Sequence, residues 1–133
     1  MKITVQELID SRNALETLCA SPKFPRPLGF KLGVLKRKGI NPIFDELEVN
    51  RQKLLGPLNE ARDMDEKNKD NKEWKPLYPD AKVVADAAWE ELTAVEEELQ
   101  DVKIPLSTMF EVEISPTMLG LLDWLIVDDI QQP

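Results

Sequence analysis

Residues 115–127 constrain this chain more than any other stretch. Ser115, Pro116, Thr117 and Met118 lead into Leu119, Leu121, Leu122, Trp124, Leu125, Ile126 and Val127, broken only by Gly120 and Asp123. The order of residues predicts one short, almost wholly apolar helix. Ser115 carries a side-chain oxygen that can cap free backbone N–H groups, and Pro116 suits the first helical position, where no N–H is needed. A helix apolar on nearly every side has to be buried, either in the chain's own core or against a partner.

A length of 133 residues fits one domain. Such a chain can bury roughly two-thirds of its unfolded surface. With 42% hydrophobic and 32% charged residues it reads as globular. Cys19, the one cysteine, follows an apolar helical stripe and is expected to be a small buried hydrophobe rather than a reactive thiol. A lone cysteine forms no internal disulfide, so a reducing cytoplasm is the expected compartment. Met1-Lys2-Ile3-Thr4 is followed by no apolar run of the signal-peptide kind. No stretch reaches the roughly 18–20 apolar residues of a membrane span. The net charge of −8 opposes general binding to nucleic-acid phosphates. One basic patch runs against that balance: Lys31, Lys36, Arg37 and Lys38, with Lys23 and Arg26 just upstream. It is either a dock for an acidic partner or a solvated helix face with cations near a helix C-terminus.

Along the chain, Thr4 and Glu7 have the spacing of a capping box. Val5, Leu8, Ile9, Leu15, Leu18 and Cys19 then follow helical spacing up to Ser21-Pro22. Residues 23–27 form a stiff proline connector. A second helix is predicted from about Pro27, with Leu28, Leu32 and Leu35 on one face and Gly39 as its C-cap. Asn41-Pro42 reads as the start of a third helix carrying Ile43, Phe44, Leu47, Leu54, Leu55 and Leu58, or as a kink in one long helix. Residues 63–80 are polar and proline-bounded, which predicts an exposed connection, mobile or functional. A further helix is predicted from Asp80, through Val84, Ala87, Ala88, Leu92 and Val95 to Leu99, with Glu96, Glu97 and Glu98 on a solvated face. Val102-Lys103-Ile104 and the alternation from Phe110 to Ile114 predict a small β-hairpin between Leu99 and Ser115.

The chain contains no histidine, which removes Ser-His-Asp and Cys-His catalysis and the common His/Cys zinc sites. Its five glycines are scattered singly, so there is no phosphate-cradling loop. The run from Asp63 to Asp70 superficially resembles a calcium loop. It lacks the turn glycine, and its twelfth position is Trp74 rather than glutamate. Glu90, Glu91, Glu96, Glu97 and Glu98 have the pattern of an exposed acidic face rather than paired catalytic acids. No cofactor or metal is expected. Trp124 reads as core and Trp89 as the edge of the core. Trp74, with Tyr78, stands in the polar connection, either as an interface anchor or as a means of tacking the loop down.

The order of segments resembles the small helical accessory proteins of tailed bacteriophages. The matching residues are Phe24-Pro25 in the connector, Leu32 to Lys38 in the basic helix, and Glu48, Arg51, Leu54 and Leu55 in the acidic helix. Ile114-Ser115-Pro116 and Leu121-Leu122-Asp123-Trp124-Leu125-Ile126 match the ending, while Pro42 and the 63–80 connection depart from the pattern. The resemblance implies phage origin and a role without catalysis, and it transfers no active site.

The sequence therefore predicts a mainly α fold: a helical hairpin or bundle with a small β-hairpin and an apolar C-terminal helix. The expected function is a non-enzymatic protein-binding module in the host cytoplasm, acting on a host or phage protein by occupying a surface. Its candidate contact residues are Trp74, Tyr78, Lys31, Lys36, Arg37 and Lys38. The alternatives are a self-associating structural or assembly component, whose partner is another copy of the chain, and an acidic nucleic-acid mimic. Neither membrane association nor direct nucleic-acid binding is expected.

Overall fold

Helix begins where Thr4 places its hydroxyl against the Glu7 N–H, 3.1 Å away, while the Glu7 carboxylate reaches back to the Thr4 N–H. This reciprocal cap satisfies two free donors and starts α1, Val5–Ala20. The computed structural model describes residues 1–130. Helix makes up 68% of the described residues, so the fold is mainly α, with a small antiparallel two-stranded sheet. Contacts divide the chain into two compact units, one made of Met1–Ile43 together with the chain from Glu96 on, the other of Phe44–Val95.

In the first unit α1 buries Val5, Leu8, Ala14, Leu15 and Leu18 on one stripe. Ser11 lies on the same stripe, and its hydroxyl donates to the Glu7 carbonyl at 2.8 Å, so no polar atom is stranded there. Cys19 is exposed, not buried as expected, because the stripe turns away after Leu18. Desolvation raises its thiol pKa, opposed by Lys36, so it is no activated thiolate. Strand β1, Lys2–Thr4, pairs antiparallel with β2, Glu96–Glu98. The Met1 ammonium fastens this ladder, donating to the Leu99 carbonyl at 2.7 Å and lying 2.8 Å from the Asp101 carboxylate.

Helix α2, Arg26–Leu35, starts with proline in its first turn, as predicted. Gly39 does not cap it. The helical run widens into a π-helical segment, Lys36–Ile40, and continues directly as α3, Asn41–Lys67. Pro42 explains the widening: it has no N–H to donate, and its ring would crowd the carbonyl four residues back. Asn41 accordingly has helical φ and ψ of −60° and −41°, and bonds the Lys36 carbonyl instead of capping a new helix. Gly39 answers a close approach, since a Cβ there would lie 3.0 Å from a Leu99 methyl.

The C-terminal segment departs most from expectation. Ser115 caps α6, Pro116–Leu121, through the Met118 N–H at 3.2 Å, but this helix lasts only six residues. A 3₁₀ turn, Asp123–Leu125, follows, and Ile126–Val127 forms β4. Gly120 weakens the helix, and the β-branched pair Ile126 and Val127 favours extended backbone. Strand β4 runs parallel to β3, Ile104–Pro105, with Ile104 beside Ile126. The hairpin predicted between Leu99 and Ser115 is absent. Pro105 instead leads into α5, Leu106–Glu111, where Asp129 accepts the Ser107 N–H at 2.9 Å, and Phe110 is exposed. The antiparallel pair that does form joins residues nearly a hundred positions apart.

The second unit is a helical hairpin of α3 and α4, Tyr78–Thr93. Helix α4 starts before Asp80 and stops at Thr93, so Glu96 to Glu98 are strand rather than helix face. The connection between the helices is residues 68–77, shorter than the predicted 63–80. Among the described residues, no helix is long and apolar enough to cross a membrane.

The C-terminal turn still supplies core. Leu122 and Leu125 are both fully buried, whereas Leu121 is 39% exposed. Leu122→Ala should therefore cost about 2–5 kcal/mol. Leu121→Ala should stay below about 1 kcal/mol, as an exposed position does. Chemical denaturation of both variants checks the register; equal losses would contradict it.

Candidate functional site

The predicted aromatic pair lies in a loop built by one carboxylate. Asp65, near the end of α3, accepts the Trp74 indole N–H at 3.0 Å and the Leu77 N–H at 2.8 Å on one oxygen, and the Tyr78 N–H at 2.9 Å on the other. Asparagine chemistry shapes the rest, with the Asn71 side chain accepting the Glu73 N–H at 3.0 Å. Arg62 holds Tyr78 from the other side: its guanidinium carbon is 5.0 Å from the ring centroid and it donates to the hydroxyl at 3.2 Å. Trp74 is half-buried and Tyr78 opens α4, so both aromatics are held in fixed positions rather than carried on a loose loop. Asp65 drew attention in the sequence only as part of the failed calcium loop. Its partners lie 9, 12 and 13 residues away, beyond any helical or turn spacing.

The basic patch lies on α2 and the π segment. Lys31, Arg37 and Lys38 are exposed and Lys36 is half-buried. Among the described residues none of them pairs with a carboxylate, and neither does Arg26, whereas Lys23 is bonded to Glu113. Sequence reading missed the apolar member of this face. Phe30 is 74% exposed, more than any other large hydrophobic side chain. The spacing 26, 30, 33, 37 could have found it, because those positions share one side of a helix. Gly33 occupies the same side and has open space where a Cβ would stand. The inner side carries the fully buried Leu32 and Leu35. The outer face is therefore apolar at its centre and positive at its margins.

A third feature belongs to the hairpin. Arg51, Leu54, Leu55 and Leu58 of α3, with Ala85, Asp86 and Trp89 of α4, line a groove of about 190 Å³. Arg51 makes a two-pronged pair with Glu48 at 2.7 and 2.8 Å. That pairing, with help from Gln52, pulls the Glu48 pKa down to about 2. Lys82 bonds Asp86 at 2.8 Å on the other wall. Among the described residues, no group of acids and cysteine is placed to hold a metal ion.

The Asp65 carboxyl is held below the ordinary aspartate range, chiefly by the Leu77 N–H, then by Tyr78 and Trp74. A depressed folded-state pKa stabilises the loop fully above the unfolded aspartate value of about 3.9, and that stabilisation is lost as pH falls through the folded value. The Trp74 indole N–H resonance should titrate with a midpoint below that value. Asp65→Ala should abolish the titration and speed tryptic cleavage at Lys69 and Lys72. A midpoint at or above the ordinary value would refute the pinning role.

No family model, no curated protein and no solved structure matches this chain.

Proposed function

We propose that the protein is a non-enzymatic protein-binding module, and that the outer face of α2 and the π segment is its principal contact surface. The observation that carries this reading is Phe30, 74% exposed among cations without carboxylate partners, in a chain of net charge −8. An isolated exposed phenylalanine is ordinary. Here Arg26 and Arg37 fall at helical spacing on the Phe30 side, and the exposed Lys31 and Lys38 are close to it in the same helical run, which has the form of an interface: an aromatic centre, with a charged margin that steers an acidic partner. Leu32 and Leu35 fix the helix from behind, so little ordering is needed on binding. Trp74 and Tyr78, preorganised by Asp65 and Arg62, form a second candidate contact. The resemblance to phage accessory proteins makes a host or phage protein in the host cytoplasm the expected partner. The protein would act by covering an acidic surface of that partner, with no bond made or broken.

The partner is captured from host lysate and the complex is titrated at two salt concentrations. Phe30→Ala should cost about 2 kcal/mol or more, roughly thirtyfold in affinity. The reversal Lys36→Glu with Arg37→Glu should slow association and flatten its salt dependence while changing dissociation less. Trp74→Ala and Tyr78→Ala test the second contact. Wild-type binding by all of these variants would exclude both surfaces.

A further inference from the structure

We infer that the outer face of α2 takes an acidic amphipathic helix of its partner, seated across Gly33. This deepens the proposed function and rests on that reading of the Phe30 face. Gly33 stands inside α2, is exposed, has no positive φ, and leaves open space where a Cβ would be. A glycine at such a place destabilises the helix relative to alanine. Gly56 and Gly120 have the same open space, and each has a reason within the chain. Gly56 precedes Pro57, whose ring crowds a Cβ on the residue before it when the backbone is helical. Gly120 lies one residue from the end of α6. No neighbour and no backbone angle calls for glycine at 33. What the missing Cβ provides there is room for close approach from outside the chain.

The residues around this gap set the chemistry of the occupant. Arg26, Phe30, Gly33 and Arg37 follow one another at helical steps on one side of the run, about 16 Å from first to last at 1.5 Å per residue. Among the described residues neither arginine pairs with a carboxylate, so both keep their charge for a partner. A helix laid along that line matches it with carboxylates at i and i+11 and large apolar side chains at i+4 and i+7. One apolar side chain fills the Gly33 gap, the other packs on the Phe30 ring, and the carboxylates meet the arginines in two-pronged pairs. The steps read the same in both directions, so parallel and antiparallel seating both satisfy them. A nucleic acid or an anionic bilayer extends past this face and meets the rest of a chain of net charge −8, whereas a single helix meets the face alone.

The probe is a synthetic helical peptide with Glu at i and i+11 and Leu at i+4 and i+7, titrated into the isotope-labelled full chain and followed by NMR. A sister peptide carries Lys in place of Glu. Amide shifts are expected at Phe30, Gly33 and Arg37 with the acidic peptide, and none with the lysine peptide. Gly33→Leu should weaken binding about tenfold or more while raising the melting temperature, because leucine is the better helix former. Lost affinity in a variant more stable than the natural chain is no folding defect. Arg26→Glu with Arg37→Glu should lose the acidic peptide by a similar factor and gain the lysine peptide. No shift with the acidic peptide, equal affinity for the lysine peptide, or natural affinity in Gly33→Leu would overturn the inference. Tighter binding of a single-stranded oligonucleotide or a phosphatidylglycerol vesicle than of the peptide would overturn it as well. Phe30→Ala is titrated separately against the captured partner, so the helical occupant can fail while the Phe30 face stands.

Discussion

Helix α1 sets the terms for the first unit. Its stripe of Leu8, Leu15 and Leu18 is essentially removed from water. The cover comes from both ends of the chain: β1 and α2 from the start, α6 from the close. Each large side chain fully buried there contributes roughly 1.5–3 kcal/mol, which is what draws residues so far apart in sequence together. The ladder between β1 and β2 and the ammonium of Met1 on Leu99 and Asp101 are the polar consequences of that closure. They satisfy backbone groups that would otherwise be stranded at the edge of the core.

The two units distribute apolar surface differently. All of the largest fully buried side chains belong to the first unit, among them Ile3, Leu32, Leu35, Ile40, Ile104, Met109, Leu122 and Leu125. The hairpin has none of that class and leaves its leucines and Trp89 along an open groove. A rigid core behind α2 suits a contact surface that works without rearrangement, because the helix is already ordered before a partner arrives.

Local chemistry was legible in the sequence. The Thr4–Glu7 box, the proline that starts α2 and the Ser115-Pro116 start of α6 each depend on residues within one turn, and each is found where its spacing placed it. What the sequence hid was non-local. Glu96 to Glu98 look like a helix face until Lys2 to Thr4 are brought beside them. Ile126 and Val127 continue an apolar helical pattern, yet β3 takes them as a strand. The π segment answers Pro42, whose effect was legible as a kink but not as a wider turn. At the candidate sites the cations were visible as a run and Phe30 was not singled out. Asp65 stood out only within the failed calcium loop, because its work depends on where the loop returns.

The distribution of buried side chains concentrates stability in the first unit, around α1, and holds the hairpin more weakly. Native-state amide exchange on the dilute free protein tests it most directly. The slowest exchange is expected at the amides of α1 and at the Leu99 N–H that bonds the Met1 carbonyl, with the amides of α4 exchanging through smaller openings. Slowest exchange in α4, with α1 opening readily, would contradict it.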